Sequence, residues 1–161
     1  MTAQEVIQAL GLEPLEGEGG MFRQTYVSRE VLNGAAAGTA IYYLLTERSF
    51  SHLHRLTGDE VYHFYLGDPV ELLELLPDGS SRLTVLGGRL QEGQVPQHPV
   101  YAGNWQGSRL RPGGRWALLG TTMCPGYTQE GYEHGSRAAL EQAYPDRAEL
   151  IRALTGEAVA F

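Results

Sequence analysis

The sequence predicts an all-β protein, an antiparallel sandwich or barrel with short helices at both ends. Three observations predict this class. Eight short segments rich in β-branched, aromatic and leucine residues follow one another about every ten residues. Glycine-rich turn signals separate them, and 21 glycines among 161 residues are typical of a chain with many turns. No helical pattern intervenes between the segments, which indicates antiparallel pairing.

The eight predicted strands lie between residues 21 and 123. They occupy residues 21–28, 39–46, 50–55, 60–66, 70–76, 82–86, 100–109 and 116–123.

Helical patterns occur only near the two ends of the chain. In the first ten residues, Thr2 and Glu5 have the spacing of a capping box, and Gly11 ends the pattern. Residues 136–143 and 145–154 also have helical spacing. We expect four apolar residues to dock the tail helices on the body, namely Leu140, Leu150, Ile151 and Leu154.

Length and charge limit the classes of function. A chain of 161 residues predicts one domain spanning residues 1–161. A net charge of −7 argues against nucleic acid and membrane partners. All 12 basic residues are arginine, and the lack of lysine excludes Schiff-base chemistry and a P-loop.

The single cysteine and the N-terminus indicate a reducing compartment. Cys124 has no intrachain partner, and we interpret it as a buried thiol. The first residues show no signal-peptide pattern, and no stretch of about 18 apolar residues predicts a membrane span. We therefore expect a cytoplasmic protein.

The residues that carry chemistry are densest between positions 50 and 67. On a strand, His52 and His54 share one face. Residues 57–59 are typical of a hairpin turn, which would bring Glu60 across from the two imidazoles. Two histidines and one carboxylate form a known divalent-metal arrangement with open positions for substrate.

This segment resembles the first motif of the cupin superfamily. The motif residues are His52-x-His54, then Glu60 and Gly67, with one residue more than usual between His54 and Glu60. The stretch from Val100 to Gln106 resembles the second motif, with Tyr101 at the position of its usual proline and Gln106 at or near that of its last histidine.

Several other stretches resemble one cupin branch of unassigned function, which is similar to the sugar-nucleotide epimerases that make dTDP-rhamnose precursors. These stretches are residues 19–26, 41–45, 54–55, 60–67 and 125–127. The resemblance implies an antiparallel double-stranded β-helix, the cupin jelly roll. It does not fix the function, since cupins include isomerases, oxygenases and ligand sensors.

The resemblance implies two alternative chemistries for the same residues. One is a divalent metal (Ni, Fe, Mn or Zn) held by His52, His54 and Glu60, with Gln106 as a weak fourth ligand. The other is acid–base catalysis in a polar pocket, with His54 as the base and Glu60 holding its tautomer. Candidates for the acid are Tyr43, Tyr62 and Tyr132.

Further candidates could bind a ligand. Arg23 offers a planar fork for an anion if its strand face lines the barrel, with Glu60, Glu133 or a ligand as its partner. Trp105 could stack on a base or sugar, Gln106 could orient the ligand together with Arg23, and Tyr43, Tyr62 and Glu133 are further ligand-binding candidates.

Three histidines lie outside the predicted metal arrangement. His63 has an odd offset from Glu60 and is expected to face away from it, although the family pattern includes it as a ligand-binding position. His98 is expected in an exposed loop and His134 at the rim.

Three functions remain open on this evidence. The first is an enzyme with epimerase-type or isomerase-type chemistry that binds a small polar or carbohydrate-type ligand, such as a nucleotide-sugar. The second is a divalent-metal cupin enzyme, and the third is a metabolite-binding protein without catalysis. Because an uncovered edge strand favours pairing, we expect a homodimer.

Overall fold

The computed structural model describes residues 1–161 and contains thirteen strands and three α-helices. The strands in chain order are β1 (Glu13–Pro14), β2 (Met21–Val27), β3 (Val31–Leu32), β4 (Ala35–Ala36), β5 (Thr39–Thr46), β6 (Phe50–Leu56), β7 (Asp59–Gly67), β8 (Val70–Leu75), β9 (Ser81–Leu86), β10 (Gln97–Val100), β11 (Trp105–Leu110), β12 (Trp116–Cys124) and β13 (Tyr132–His134). The helices are α1 (Ala3–Leu10), α2 (Arg137–Ala143) and α3 (Ala148–Ala153).

Two antiparallel sheets form the body of the protein. A six-stranded sheet has the order β1-β2-β5-β12-β7-β10, and a five-stranded sheet has the order β13-β6-β11-β8-β9. Strands β3 and β4 form a separate hairpin around Asn33-Gly34. The two sheets pack as a β-sandwich, so the predicted all-β class and the jelly-roll architecture are confirmed.

The apolar core lies between the inner faces of the two sheets. Strands β5, β7, β10 and β12 of one sheet and β8, β9 and β11 of the other contribute to it. Its buried members are Tyr43, Leu45, Tyr62, Val70, Leu72, Leu86, Val100, Leu110, Ala117 and Leu119. This cluster fills part of the space between the sheets with hydrocarbon, which leaves the remainder for a cavity.

The helices cover the outer faces of the sheets. Thr2 and Glu5 form the predicted capping box of α1, and Gly11 ends it in the left-handed conformation. Val6 of α1 packs with Leu44 and other residues on the outer side of the six-stranded sheet. None of the helices has the length and apolar character that a membrane crossing requires.

Helices α2 and α3 dock on the outer side of the five-stranded sheet. Leu140, Ile151 and Leu154 are buried there against Leu53, as their spacing predicts, and Leu150 is partly buried in the same cluster. Residues from Pro145 to Arg147 form a 3₁₀ turn, so the second tail helix is shorter than the sequence pattern predicts.

One predicted strand is two strands in different sheets. The segment 100–109 divides because β10 ends at Val100 and pairs with β7, whereas β11 begins at Trp105 and pairs with β6 and β8. Gly103, at a φ of 86°, lies in the turn between them. The chain therefore crosses from one sheet to the other beside the candidate site.

Candidate functional site

A cavity of about 80 Å³ lies between the two sheets, beside the apolar core. The five-stranded sheet contributes His54 from β6, and the six-stranded sheet contributes Glu60 from β7 and Thr121 from β12. Apolar and aromatic side chains form most of the other walls, among them Leu15, Phe22, Ile41, Leu56, Met123 and Tyr127. A mainly apolar pocket with a few convergent polar groups is typical of a small-molecule site.

A β-bulge in β6 decides which histidine enters this cavity. His54 pairs with Gln106 of β11, after which the register shifts, so that residues 52–53 oppose Gly107 alone. The extra residue breaks the alternation of faces along β6. The expected pair of imidazoles does not enter the cavity together, since His54 lines it and His52 does not.

His52 is buried outside the cavity with both ring nitrogens in use. Its Nδ1 donates to the carbonyl oxygen of Leu53 at 2.8 Å, and its Nε2 accepts the backbone N–H of Gly156 at 3.2 Å. Its ring stacks on that of His134, with ring centres 3.7 Å apart. Burial lowers the pKa of His52. These contacts give His52 a structural role between the sheet and the C-terminal segment.

His54 presents one free nitrogen to the cavity. Its Nδ1 donates to the carbonyl oxygen of His52 at 2.6 Å, and its ring packs parallel to that of Tyr132, with centres 5.0 Å apart. Its Nε2 has no hydrogen-bond partner, and the closest carboxylate oxygen, Oε1 of Glu18, is 3.9 Å away. Because Nδ1 carries the proton of the neutral ring, Nε2 holds a lone pair inside the cavity.

Glu60 faces His54 from the opposite sheet. The turn at residues 57–58 joins β6 to β7, which belong to different sheets, so it is not the hairpin turn that the sequence predicts. The crossing still brings Glu60 to the cavity wall, where it is 8% exposed. Burial raises the pKa of Glu60, and the charge of His54 opposes this rise. Glu60 therefore keeps its proton to a higher pH than an exposed glutamate.

Glu18 is a cavity residue that the sequence patterns do not reveal. It lies in the loop between β1 and β2, and its Oε2 accepts a hydrogen bond from Ser51 at 2.8 Å. Its backbone carbonyl accepts the N–H of His52 at 2.9 Å, which ties the loop to the bulge. In the sequence Glu18 is an acidic residue between glycines, a pattern that indicates only a turn.

Two predicted tyrosines lie in the wall between the cavity and the core. Tyr62 donates its hydroxyl proton to Oε1 of Gln106, and Tyr43 donates to the carbonyl oxygen of Gly19 at 2.6 Å. Burial raises the pKa of both phenols, and the carboxylates Glu18 and Glu60 raise them further. Both tyrosines therefore stay neutral and fix the shape of the wall.

The geometry above agrees with a comparison against family models. Residues 4–135 match the model described as cupin superfamily (DUF985). The chain belongs to this family. Among curated proteins, none matches the chain.

Solved structures place the DUF985 chain among cupins. A crystal structure of a Shewanella oneidensis protein is 32% identical, with a TM-score of 0.90, over 97% of this chain and 98% of that one. A hypothetical protein from Leishmania major is 29% identical, with a TM-score of 0.90, over 98% and 100% of the two chains. Oxalate decarboxylase from Bacillus subtilis is 14% identical, with a TM-score of 0.58, over 91% of this chain and 37% of that one.

The metal ligands expected of a cupin do not converge in this DUF985 protein. His52 lies outside the cavity with both nitrogens in use, and Oε1 of Gln106 accepts from Tyr62. Of the expected set, His54 and Glu60 alone line the cavity. No group of three or more histidine, cysteine or acidic side chains is arranged to hold a metal ion. The residues present therefore do not fit the expected metal centre.

Arg23 does not reach the cavity of the DUF985 chain. Phe22 and Gln24 line the cavity, so the alternation of β2 turns Arg23 outward. Arg23 is exposed and donates to the carbonyl oxygen of Leu10 at 3.0 Å. The expectation that the face of Arg23 lines the barrel is wrong.

Three other predicted ligand-binding residues also lie away from the cavity. Trp105 and Glu133 both contact Arg55, Trp105 beneath its guanidinium at 4.6 Å and Glu133 through a 3.0 Å ion pair. His63 faces away from Glu60, as its odd offset predicts, and its Nε2 lies 3.1 Å from Oγ1 of Thr122. These side chains belong to the outer surfaces of the sheets.

Two further expectations are corrected. Cys124 is exposed rather than buried, because Met123 points into the cavity and its neighbour points outward. His98 lies in β10 rather than in a loop, with its Nε2 2.7 Å from the buried carboxylate of Glu74. His134 is exposed, as expected of a rim residue.

Proposed function

We propose that this DUF985 cupin binds a small polar molecule in the cavity and moves a proton on it with His54 and Glu60. The observation that carries the proposal is the environment of His54. Its Nδ1 proton is held by a backbone carbonyl, whereas its Nε2 faces the cavity without a hydrogen-bond partner. Nε2 is thus an acceptor open to the cavity, and it is the atom that a general base requires.

Glu60 supplies the complementary acid. Burial raises its pKa, so the carboxyl group keeps its proton to a higher pH than an exposed glutamate, in a cavity where His54 offers an acceptor. Two groups of opposite role on facing walls are suited to removing a proton from one side of a ligand and returning one from the other. This pairing supports the isomerase-type or epimerase-type reaction among the three functions that the sequence leaves open.

The cavity favours a small ligand or one small part of a larger ligand. Its volume of about 80 Å³ holds a few non-hydrogen atoms rather than a whole nucleotide-sugar. No arginine lines it, so a diphosphate would have no counter-charge inside. We therefore propose a short polar or carbohydrate-type carbon chain with a carbonyl group as the reacting part.

The experiment measures proton exchange directly. Dihydroxyacetone, glyceraldehyde and hydroxyacetone are incubated with the protein in D₂O, and loss of the proton next to the carbonyl is followed by NMR. We expect exchange with at least one of them, and a loss of about 100-fold or more in His54→Asn. His63→Asn, on the outer surface of the six-stranded sheet, is the matched control and should keep the activity.

Two outcomes would decide against this function. Exchange that survives in His54→Asn would remove the base from the proposal. Binding of these compounds in a thermal-shift assay without exchange would favour the non-catalytic metabolite-binding protein instead.

We also propose that residues 1–161 form one domain and that two copies form a homodimer. Apolar side chains exposed on β2 and β3 support the dimer, with Val27 53% and Val31 69% exposed. Light scattering at micromolar concentration should give twice the mass of the chain. A monomer would contradict the dimer without touching the cavity proposal.

A further inference from the structure

The cavity collects negative charge without a fixed positive charge. Two carboxyl groups, of Glu18 and Glu60, and the imidazole of His54 line it. The walls therefore carry two acidic side chains, and no arginine lines them. Since Tyr43, Tyr62 and Tyr127 have raised pKa values, they add no charge of their own near neutral pH.

The polar atoms at the centre of this charge lack full partners. Glu18 accepts a single side-chain hydrogen bond, from Ser51, and the nearest basic side chain is His54, whose Nε2 lies 3.9 Å from its carboxylate. His54 is 2% exposed and its Nε2 has no hydrogen-bond partner. The Glu18 side chain is 17% exposed, and a largely desolvated carboxylate is normally paired with a cation or several donors, so a positive partner is missing beside it.

The surrounding walls suit a cation with a short carbon skeleton. The ring of Tyr127 lines the cavity, and aromatic faces attract organic cations. Phe22 adds a second ring, and Ile41 and Met123 offer apolar surface for methyl or methylene groups. A metal ion is a poorer fit, since no three side chains are arranged to ligate one.

Resting on the proposed small-molecule site, we propose that its ligand is a small organic ammonium compound. Its charged nitrogen lies against Glu18, and its carbon skeleton packs on the apolar wall. The ligand thus supplies the positive charge that the chain itself does not place in the cavity.

A pair of matched probes distinguishes the effect of ligand charge on binding from the effect of ligand shape. Choline and 3,3-dimethylbutan-1-ol have nearly the same shape, but only choline is charged, and ethanolammonium adds N–H donors. Isothermal titration should give a Kd for choline or ethanolammonium at least about tenfold lower than that for the neutral alcohol. Acetate should not bind, because the cavity has no fixed cation.

Glu18→Gln tests the assigned contact. It should raise the Kd of the ammonium probe by about tenfold while leaving weak binding of the neutral alcohol unchanged. Glu92→Gln removes the same charge from an exposed ion pair with Arg89 and should leave both values unchanged. The neutral alcohol also shows whether the Glu18→Gln cavity is intact.

The outcomes separate this proposal from the proposed function. Equal or tighter binding of the neutral alcohol, or no binding of either ammonium compound, would overturn the cationic ligand. If the carbonyl compounds still exchange protons through His54, the proposed function stands on its own. If the ammonium compounds do not bind and the carbonyl compounds do not exchange protons, both proposals are overturned.

Discussion

The backbone carbonyl of His52 accepts the Nδ1–H of His54 at 2.6 Å, so one histidine fixes the tautomer of the other. The two rings nevertheless face different surroundings, since His54 lines the cavity and His52 stacks on His134 outside it. The β-bulge at residues 52–53 produces both facts. The His-x-His pair is typical of metal sites, but because of the bulge only one of its imidazoles lines the pocket, and the Nε2 of that imidazole is free.

The bulge predicts a specific sensitivity at Gly107. A Cβ added there would lie 3.0 Å from Cγ of Leu53 and 3.1 Å from the carbonyl oxygen of Ser51. Gly107→Ala should therefore destabilise the protein by about 1–3 kcal/mol and disturb the position of His54. Urea unfolding gives the free energy, and proton exchange reports on His54.

Gly88→Ala is the control for that change, because a Cβ there meets nothing within 4 Å. It should change the free energy of unfolding little. Equal stability of the two variants would contradict the close packing of the bulge against Gly107.

His52→Asn should separate structure from chemistry. It removes the contacts to Leu53 and Gly156 and the stacking on His134, so we expect a loss of about 1–2 kcal/mol in the free energy of unfolding. Proton exchange, measured where the variant is folded, should fall much less than in His54→Asn. An equal loss of activity in both variants would indicate that His52 acts in the reaction.

Part of this site is predictable from the sequence and part is not. The family resemblance identifies His54 and Glu60, but Glu60 reaches the cavity by a crossing between the two sheets and not by the hairpin that the sequence predicts. Strand alternation does not predict the position of His52, since a bulge adds a residue that the alternating pattern does not show. No sequence pattern identifies Glu18 as a cavity residue, because its position depends on a loop that Ser51 holds by a hydrogen bond.

The faces of β2 illustrate another limit. Alternation correctly divides this strand into two sets, but it does not tell which set faces inward. Arg23 belongs to the outer set and Phe22 to the inner one. The choice depends on which side the second sheet covers, and that is a property of the assembled fold.

Glu60 predicts a pH dependence of stability. Burial raises its pKa above the ordinary value of 4.5, so the folded state binds this proton more tightly than the unfolded chain. The free energy of unfolding therefore falls as pH rises between the two pKa values, by about 1.4 kcal/mol per pH unit from this group. Glu60→Gln should accordingly gain stability relative to the natural protein as pH rises.

Urea unfolding from about pH 4 to about pH 7 measures this difference. Exposed Glu92→Gln should show no such trend. A Glu60→Gln difference that stays constant over this range would contradict the raised pKa.

Glu74 predicts a pH dependence of stability that is opposite in sign to that of Glu60. Burial acts to raise its pKa, but the His98 hydrogen bond and charge, together with Asn104 and Arg82, lower it overall. Its contribution to stability is thus present above the unfolded pKa and is lost as pH falls through the lowered folded pKa. His98→Ala should cost about 2–4 kcal/mol at neutral pH, because it leaves a buried carboxylate with weaker partners.

The double variant Glu74→Gln, His98→Ala checks this explanation. It should be less destabilised than His98→Ala alone, since no buried charge remains. A double variant as unstable as the single one would show that packing, not charge, determines the loss.

The most direct test of the account is the tautomer of His54. Long-range ¹H–¹⁵N NMR of protein labelled in histidine, with the signals assigned by His54→Asn, distinguishes a protonated from an unprotonated ring nitrogen. We predict that the neutral ring is protonated at Nδ1 and that a cavity ligand shifts the Nε2 signal. A proton on Nε2 of the neutral ring, or an Nε2 signal that no cavity ligand affects, would contradict it.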